Sequence, residues 1–323
     1  MNECKWVQWP LLVGLVGLFG ALVACGGHAP DADARKSVLA EAQPPSAWDK
    51  LQELDKASLF RAWVADHADW VNILNNQKPL TIFVPTDDAW RAFEGRVGGL
   101  EEEAAERLFK HHLIFGTLSA RAAETAQTAK MGSGQTIPMA FSGLEVLIGG
   151  TSRIVESDID GGNGLLHLVD SMMLPADLLK TMDLDQFLEL YPYYVRFKDL
   201  WKASSGTGIL SPTSGKQLAL FPAEHKLKRL DENMTADEKR DLVFYHLLPG
   251  ISSLGAYLSG ETVRTRLPGR TVKLDQNSDG FWSVHPVNDS VVNDSVVLVD
   301  MNVKLKATRV YLLRSVLMIG IND

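Results

Sequence analysis

An internal repeat limits what this chain can fold into more than any other feature. A β-rich run, Thr81–Val84, stops at Pro85, and a second, Leu218–Phe221, stops at Pro222. Helix-period stretches reach His112 in one part and His246 in the other. Pro85 and Pro222 lie 137 positions apart, His112 and His246 134, and His167 and Tyr311 144. Near-constant offsets across three landmarks indicate duplication, and so long a period means two tandem domains, not a solenoid. The 323 residues suit two domains at roughly 100–200 residues each. The boundary is expected near Thr181, after Leu174-Pro175.

Each unit mixes helical and strand periods, which predicts an α+β fold. Phe60, Trp63, Val64 and His67 share one helical face. Thr86 can cap a following helix whose first turn holds Asp87 and Asp88. Leu100–Leu113 reads as helix, followed by strands at Thr136–Met139, Leu144–Ile148, Arg153–Ile159 and Leu165–Asp170. In the second unit Leu184–Val195 is helical, and Thr235 with Glu238 forms a capping box opening a helix to Leu247. Strands are expected at Thr262–Leu267, Thr271–Leu274, Phe281–Val284, Val296–Val299 and Arg309–Leu313.

The formal charge of -8 repels phosphate backbones, so nucleic acid is not expected as a partner. The two cysteines, Cys4 and Cys25, leave residues 26–323 without a thiol nucleophile or disulfide. Leu11–Val23 is apolar but too short to span a bilayer, which takes about 20 residues. With Leu22-Val23-Ala24-Cys25-Gly26 after it, the segment resembles a bacterial lipoprotein signal, residues 1–24, with Cys25 as the lipidated residue. Residues 25–47, rich in Gly, Pro and small side chains, read as a flexible tether. The expected location is the bacterial cell envelope, anchored in a membrane. Gly26 is not the aspartate that retains such proteins at the inner membrane, which is compatible with the outer one.

Three segments of the first unit resemble the fasciclin domain family. Thr81-Ile82-Phe83-Val84-Pro85-Thr86 looks like its first box. His111-His112 occupies the place of a Tyr-His pair. Asn163-Gly164-Leu165-Leu166-His167-Leu168-Val169-Asp170 looks like the second box. In the second unit Pro222 and Tyr245-His246 match, but Thr308–Ser315 is a degenerate box in which Tyr311 replaces His167 and Arg314 replaces Asp170. The resemblance implies two tandem fasciclin-like domains, residues 48–181 and 182–323, each a twisted β wedge with packed helices. It implies adhesion rather than catalysis.

His112 lies on the apolar face of Leu108, Phe109 and Leu113, as His246 does with Leu242, Val243 and Leu247. A buried histidine holding a backbone hydrogen bond is the simpler reading of both. His111 points off that face and is the expected partner contact. His167 and Asp170 lack a nucleophile elbow and read as a structural polar network. Asp275, Asn277 and Asp279 match the start of a calcium loop, but Pro286 stands where its bidentate Glu belongs, and a hairpin turn explains the same residues. Gly215-Lys216 lacks the glycine and hydroxyl of a phosphate loop. Asn288–Val292 repeats at Asn293–Val297 as a strand-lengthening insertion. No catalytic residue, metal or cofactor is expected. The resulting expectation is a lipid-anchored protein that binds a protein or polysaccharide. A second expectation is an envelope enzyme or carrier holding a lipid or glycan between the domains. If Cys25 carries the lipid, Cys25→Ser releases the protein from membranes and abolishes fatty-acid labelling; labelling that persists in the variant refutes the anchor.

Overall fold

Six consecutive residues, Leu80–Pro85 (β1), are all buried, a pattern that fits a strand covered on both faces. The computed structural model describes residues 44–97, 100–142, 145–205, 216–228, 234–251, 253–287 and 296–317. It places β1 between a two-residue edge strand, Leu113–Ile114 (β2), and Gly164–Val169 (β7). Outward from β7 follow Ser152–Asp160 (β6), Glu145–Ile148 (β5), Thr136–Ser142 (β4) and Thr128–Lys130 (β3). Only β1 and β7 run parallel; the other pairings in this sheet are antiparallel. The expected strand positions hold to within a few residues, while β2 and β3 are too short to show a period.

The second sheet has the same order. Its strands are Gln217–Phe221 (β8), Leu247–Pro249 (β9), Glu261–Arg264 (β10), Thr271–Gln276 (β11), Trp282–Val287 (β12), Val296–Lys304 (β13) and Thr308–Leu313 (β14). Read from β9, the sheet runs β9-β8-β14-β13-β12-β11-β10, with β8 and β14 again parallel. Thr81 faces Ile114 as Leu218 faces Leu248. Phe83 pairs with His167 as Leu220 pairs with Tyr311.

Helices pack against β1 through Leu80, Ile82 and Val84. The single helical face read through Phe60 and His67 is in fact broken: one helix is Ser58–Ala65 and the next Ala68–Asn75, with His67 at the N-cap. His67 stacks on Trp70 at 3.6 Å, and Trp70 stacks in turn on Phe109 at 4.7 Å. Trp63 completes the group, its ring 4.7 Å from that of Trp70 and 5.2 Å from that of Trp90. The helix expected over Leu100–Leu113 is Glu102–His111. Its counterpart is Ala236–Tyr245, opened by the Thr235–Glu238 capping box.

One apolar cluster holds residues from both sequence halves: Phe60, Trp90 and Phe93 with Phe187, Tyr194, Phe197 and Phe221. Each sheet keeps a smaller cluster of its own, one around Phe83, Met131 and Ile148, the other around Leu218, Leu220 and Tyr245. Tyr191 Oη donates to the Met172 carbonyl at 3.4 Å, and Tyr194 Oη donates to that of Gly150. Thr181 falls between the helices Ala176–Leu179 and Leu184–Leu190. Cys25, the apolar run before it, residues 25–43 of the expected tether, Gly215 and most of Asn288–Val297 lie outside the described residues.

The parallel β1–β7 contact depends on Gly164. A Cβ there would sit 2.0 Å from the Leu80 carbonyl oxygen, which is backbone and cannot step aside. Gly164→Ala is expected to destabilise the protein by about 3 kcal/mol through overpacking. Gly95, in the helix Asp87–Val97, meets nothing within 4 Å. Gly95→Ala is expected to add about 0.5–1 kcal/mol. Chemical denaturation of both variants checks the pair.

Candidate functional site

His112 terminates the helix Glu102–His111 and is wholly buried. Met173 N–H donates to its Nε2 at 3.1 Å, so the ring proton sits on Nδ1 and is donated to the Leu108 carbonyl at 2.8 Å. The His112 carbonyl accepts from Phe83 N at 2.8 Å. One residue thus ties a helix end to β1 and to the segment after β7. His246 repeats each bond: Nδ1 to Leu242 O at 2.8 Å, Nε2 from Leu317 N at 3.1 Å, and its carbonyl from Leu220 N at 2.9 Å. Burial pushes the His112 pKa from 6.5 down to about 3 and that of His246 to about 4. The reading of both as buried, backbone-bonded histidines matches this geometry.

The expectation for His111 is overturned. Its residue is 3 % exposed, and Nδ1 is hydrogen-bonded to Ser133 Oγ at 2.8 Å. Helix phase does place it away from Leu108 and Leu113, but a second layer covers that side. Gly132 N donates to Leu113 O at 2.7 Å and Ser133 N to Lys110 O at 3.0 Å, clamping the loop over the helix end. Burial holds His111 near pKa 4.

The remaining motif positions are also structural. Asp158 N donates to His167 Nδ1 at 3.1 Å, so His167 Nε2 donates to Leu118 O at 2.8 Å. Asp158 has φ 57 at a β6 register shift, and its Oδ1 accepts from Ala120 N at 2.9 Å. Asp170 accepts from Arg153 N at 2.9 Å and Arg153 Nε at 3.1 Å, and from Ser171 Oγ. Burial raises its pKa despite those donors. Asn163 Oδ1 accepts from Ala47 N at 2.6 Å, and its Nδ2 donates to Leu74 O at 2.8 Å. Thr86 Oγ1 caps Ala89 N at 3.3 Å. Asp87 binds Leu59 N at 2.9 Å, as Glu224, just after Pro222, binds Arg196 N at 3.2 Å and Phe197 N at 3.1 Å. Burial pushes Glu224 up to about 7.

Asp275 and Gln276 end β11, and Asn277–Gly280 forms the turn into β12. Asn277 Oδ1 accepts from Asp279 N at 3.0 Å and Phe281 N at 2.8 Å, while Asp275 pairs with Lys273 at 2.9 Å. Among the described residues no group of three or more His, Cys, Asp or Glu is placed to hold a metal ion.

An open surface lies where β1 begins. A groove of about 600 Å³ is lined by Ile73, Asn76, Lys78, Pro79, Leu80 and Phe115. Phe115 is 66 % exposed, directly after β2 and before Gly116, whose φ is 136. Buried Thr81 fixes this loop: its Oγ1 donates to Gly116 O and accepts from Leu118 N, both at 2.8 Å. Sequence reasoning passed over Phe115. The available signal was an aromatic residue between two apolar strand positions and a glycine.

Residues 55–175 match the fasciclin domain family. The chain is 24% identical over 148 residues to Protein sll1483 of Synechocystis, covering 44% of this chain and 81% of that protein. It is 26% identical over 226 residues to human periostin, covering 68% of this chain and 26% of periostin. Mouse stabilin-2 matches at 26% identity over 41% of this chain and 5% of its own length. Among solved structures, a FAS1 domain pair of the insect cell adhesion molecule fasciclin I aligns over 82% of this chain and 98% of that one, at 14% identity and a TM-score of 0.42.

The buried histidines set an acid limit on stability. His111, His112, His167 and His246 all have depressed pKa values, so below pH 6.5 the unfolded chain takes up protons that the native state refuses. Stability is full above that pH and falls toward pH 4, by up to about 1.4 kcal/mol per pH unit for each histidine. Glu224 and Asp170, both raised, act in the opposite sense: their contribution is present at low pH and lost as pH rises through their folded pKa. Four histidines outweigh two carboxyls, so the melting temperature should fall between pH 6.5 and 4.5. A flat profile there contradicts the burial of neutral imidazoles.

Proposed function

We propose that this chain is an extracytoplasmic interaction protein of the adhesion type, held at a membrane through lipid on Cys25. In this reading residues 48–181 and 182–323 are tandem fasciclin-like domains, the second with a degenerate box, and neither catalyses a reaction. The fasciclin match over residues 55–175 supports it, as does the second sheet's identical strand order. The observation that carries it is the groove at the start of β1, where an aromatic ring stands exposed on a loop that buried Thr81 holds in place.

An exposed aromatic beside an apolar groove fits contact with a partner. Phe115 can insert into a complementary surface, and its fixed loop lowers the ordering cost of doing so. The motif histidines act one layer beneath. His111 and His112 hold the helix end from which β2 and the Phe115 loop depart, and so they position the surface without touching the partner.

Phe115→Ser is expected to leave the melting transition nearly unchanged, since exposed substitutions usually stay within about 0.5 kcal/mol. Cells displaying the variant should adhere to their target surface no better than cells lacking the protein. Adhesion equal to wild type would remove the groove from the binding function.

A further inference from the structure

The corresponding end of the second sheet is charged. Gln217 occupies the register position of Leu80, opposite Pro249 rather than Phe115. Beside it lies a recess of about 170 Å³ bounded by Lys216, Gln217, Ser253, Lys304, Lys306 and Arg309. Among the described residues every charged side chain lining it is a cation, in a chain whose net charge is -8.

Backbone bonds fix the walls. Leu305 N donates to Thr308 O at 2.8 Å, Gln217 N to Ala307 O at 3.0 Å, and Gly250 N to Lys216 O at 2.8 Å. Leu305 is buried, so the lysines on either side of it stay exposed. Gln217 and Thr308 form a buried base, joined by Gln217 Nε2 to Thr308 Oγ1 at 3.1 Å. Lys304 and Arg309 are direct cross-strand partners, and like charges so placed destabilise a sheet. Lys216, Lys304 and Lys306 make no ion pair among the described residues. Three exposed lysines gathered at one recess are what an anion would stabilise.

We infer that this recess binds a tetrahedral oxyanion, a sulfate or phosphate ester, carried on a glycan chain. The volume suits one such group. A broad surface such as a membrane cannot follow the recess inward, whereas a single ester group on a thin flexible polymer can enter it. Lysines supply charge without fixed geometry, so they suit an oxyanion of any orientation. The inference relies on the proposed function for the class of partner only, because its chemistry is local to the second sheet.

The purified full chain is titrated calorimetrically at low salt with a sulfated hexasaccharide, its unsulfated counterpart, sodium phosphate, and vesicles of phosphatidylglycerol. The sulfated sugar should bind about tenfold or more tightly than the neutral one, and phosphate should compete. Lys304→Ala with Lys306→Ala should weaken binding by about tenfold or more. Lys304→Arg with Lys306→Arg should retain it, which separates lost charge from lost folding. Phe115→Ser should bind as wild type, so failure of the oxyanion site and failure of the groove are told apart. No preference for sulfate, no competition by phosphate, a double-alanine variant that binds as wild type, or binding to vesicles alone overturns the inference.

Discussion

A neutral imidazole bridging a carbonyl four residues back and an amide some sixty to seventy residues ahead holds this architecture together. A helix leaves carbonyls without partners at its C-terminus, and a chain leaving a sheet has amides in the same position. His112 satisfies one of each, Leu108 O and Met173 N, while its own carbonyl receives Phe83 N. No shorter side chain spans that gap with a donor on one edge and an acceptor on the other. Both ring nitrogens are committed, so protonation would set a second N–H against the Met173 amide. The same residue that closes the fold therefore makes it sensitive to acid, and His246 imposes the condition a second time.

Around that clasp the two sheets keep their topology and exchange side chains. Asp87 and Glu224 perform one task, receiving the amides at the start of a packed helix. The longer glutamate is more desolvated, and its pKa rises to about 7. His167 and Tyr311 share a register position opposite Phe83 and Leu220, but His167 ties a bulge and a loop together whereas Tyr311 belongs to an apolar cluster. Asn163, which fastens Ala47 and Leu74, has Ala307 at the equivalent register position.

Local chemistry made much of this legible in sequence. Pro85 and Pro222 mark where two buried strands end, the Thr235–Glu238 capping box opens its helix, and apolar periodicity located His112 and His246 in the interior. Tertiary context hid the rest. Helix phase gave His111 a side away from the core, but phase describes an isolated cylinder and not the Gly132-Ser133 loop that closes over it. The pairing of β1 with β7, some eighty residues later, leaves no periodic trace. The break at His67 was masked because its apolar neighbours continue the same spacing. Phe115 went unremarked because exposure depends on what fails to cover a residue, and a linear pattern records only what could be covered.

The most divergent pair of equivalent places is the sheet end where β1 and β8 begin. In one sheet Pro79, Leu80 and Phe115 border an apolar groove; in the other Lys216, Gln217, Lys304 and Arg309 border a cationic recess. Apart from Leu80 these residues lie outside the apolar clusters, so they could change without disturbing the histidine clasp. Glycines of positive φ follow both short edge strands, Gly116 at 136 and Gly250 at 80, so the backbone turn is shared while the side chains differ. Conserved strand order with divergent chemistry at one end is what results when a scaffold carries the folding constraint and its loops carry recognition. The boxes that make the fold recognisable are, for that reason, poor guides to where a partner would bind.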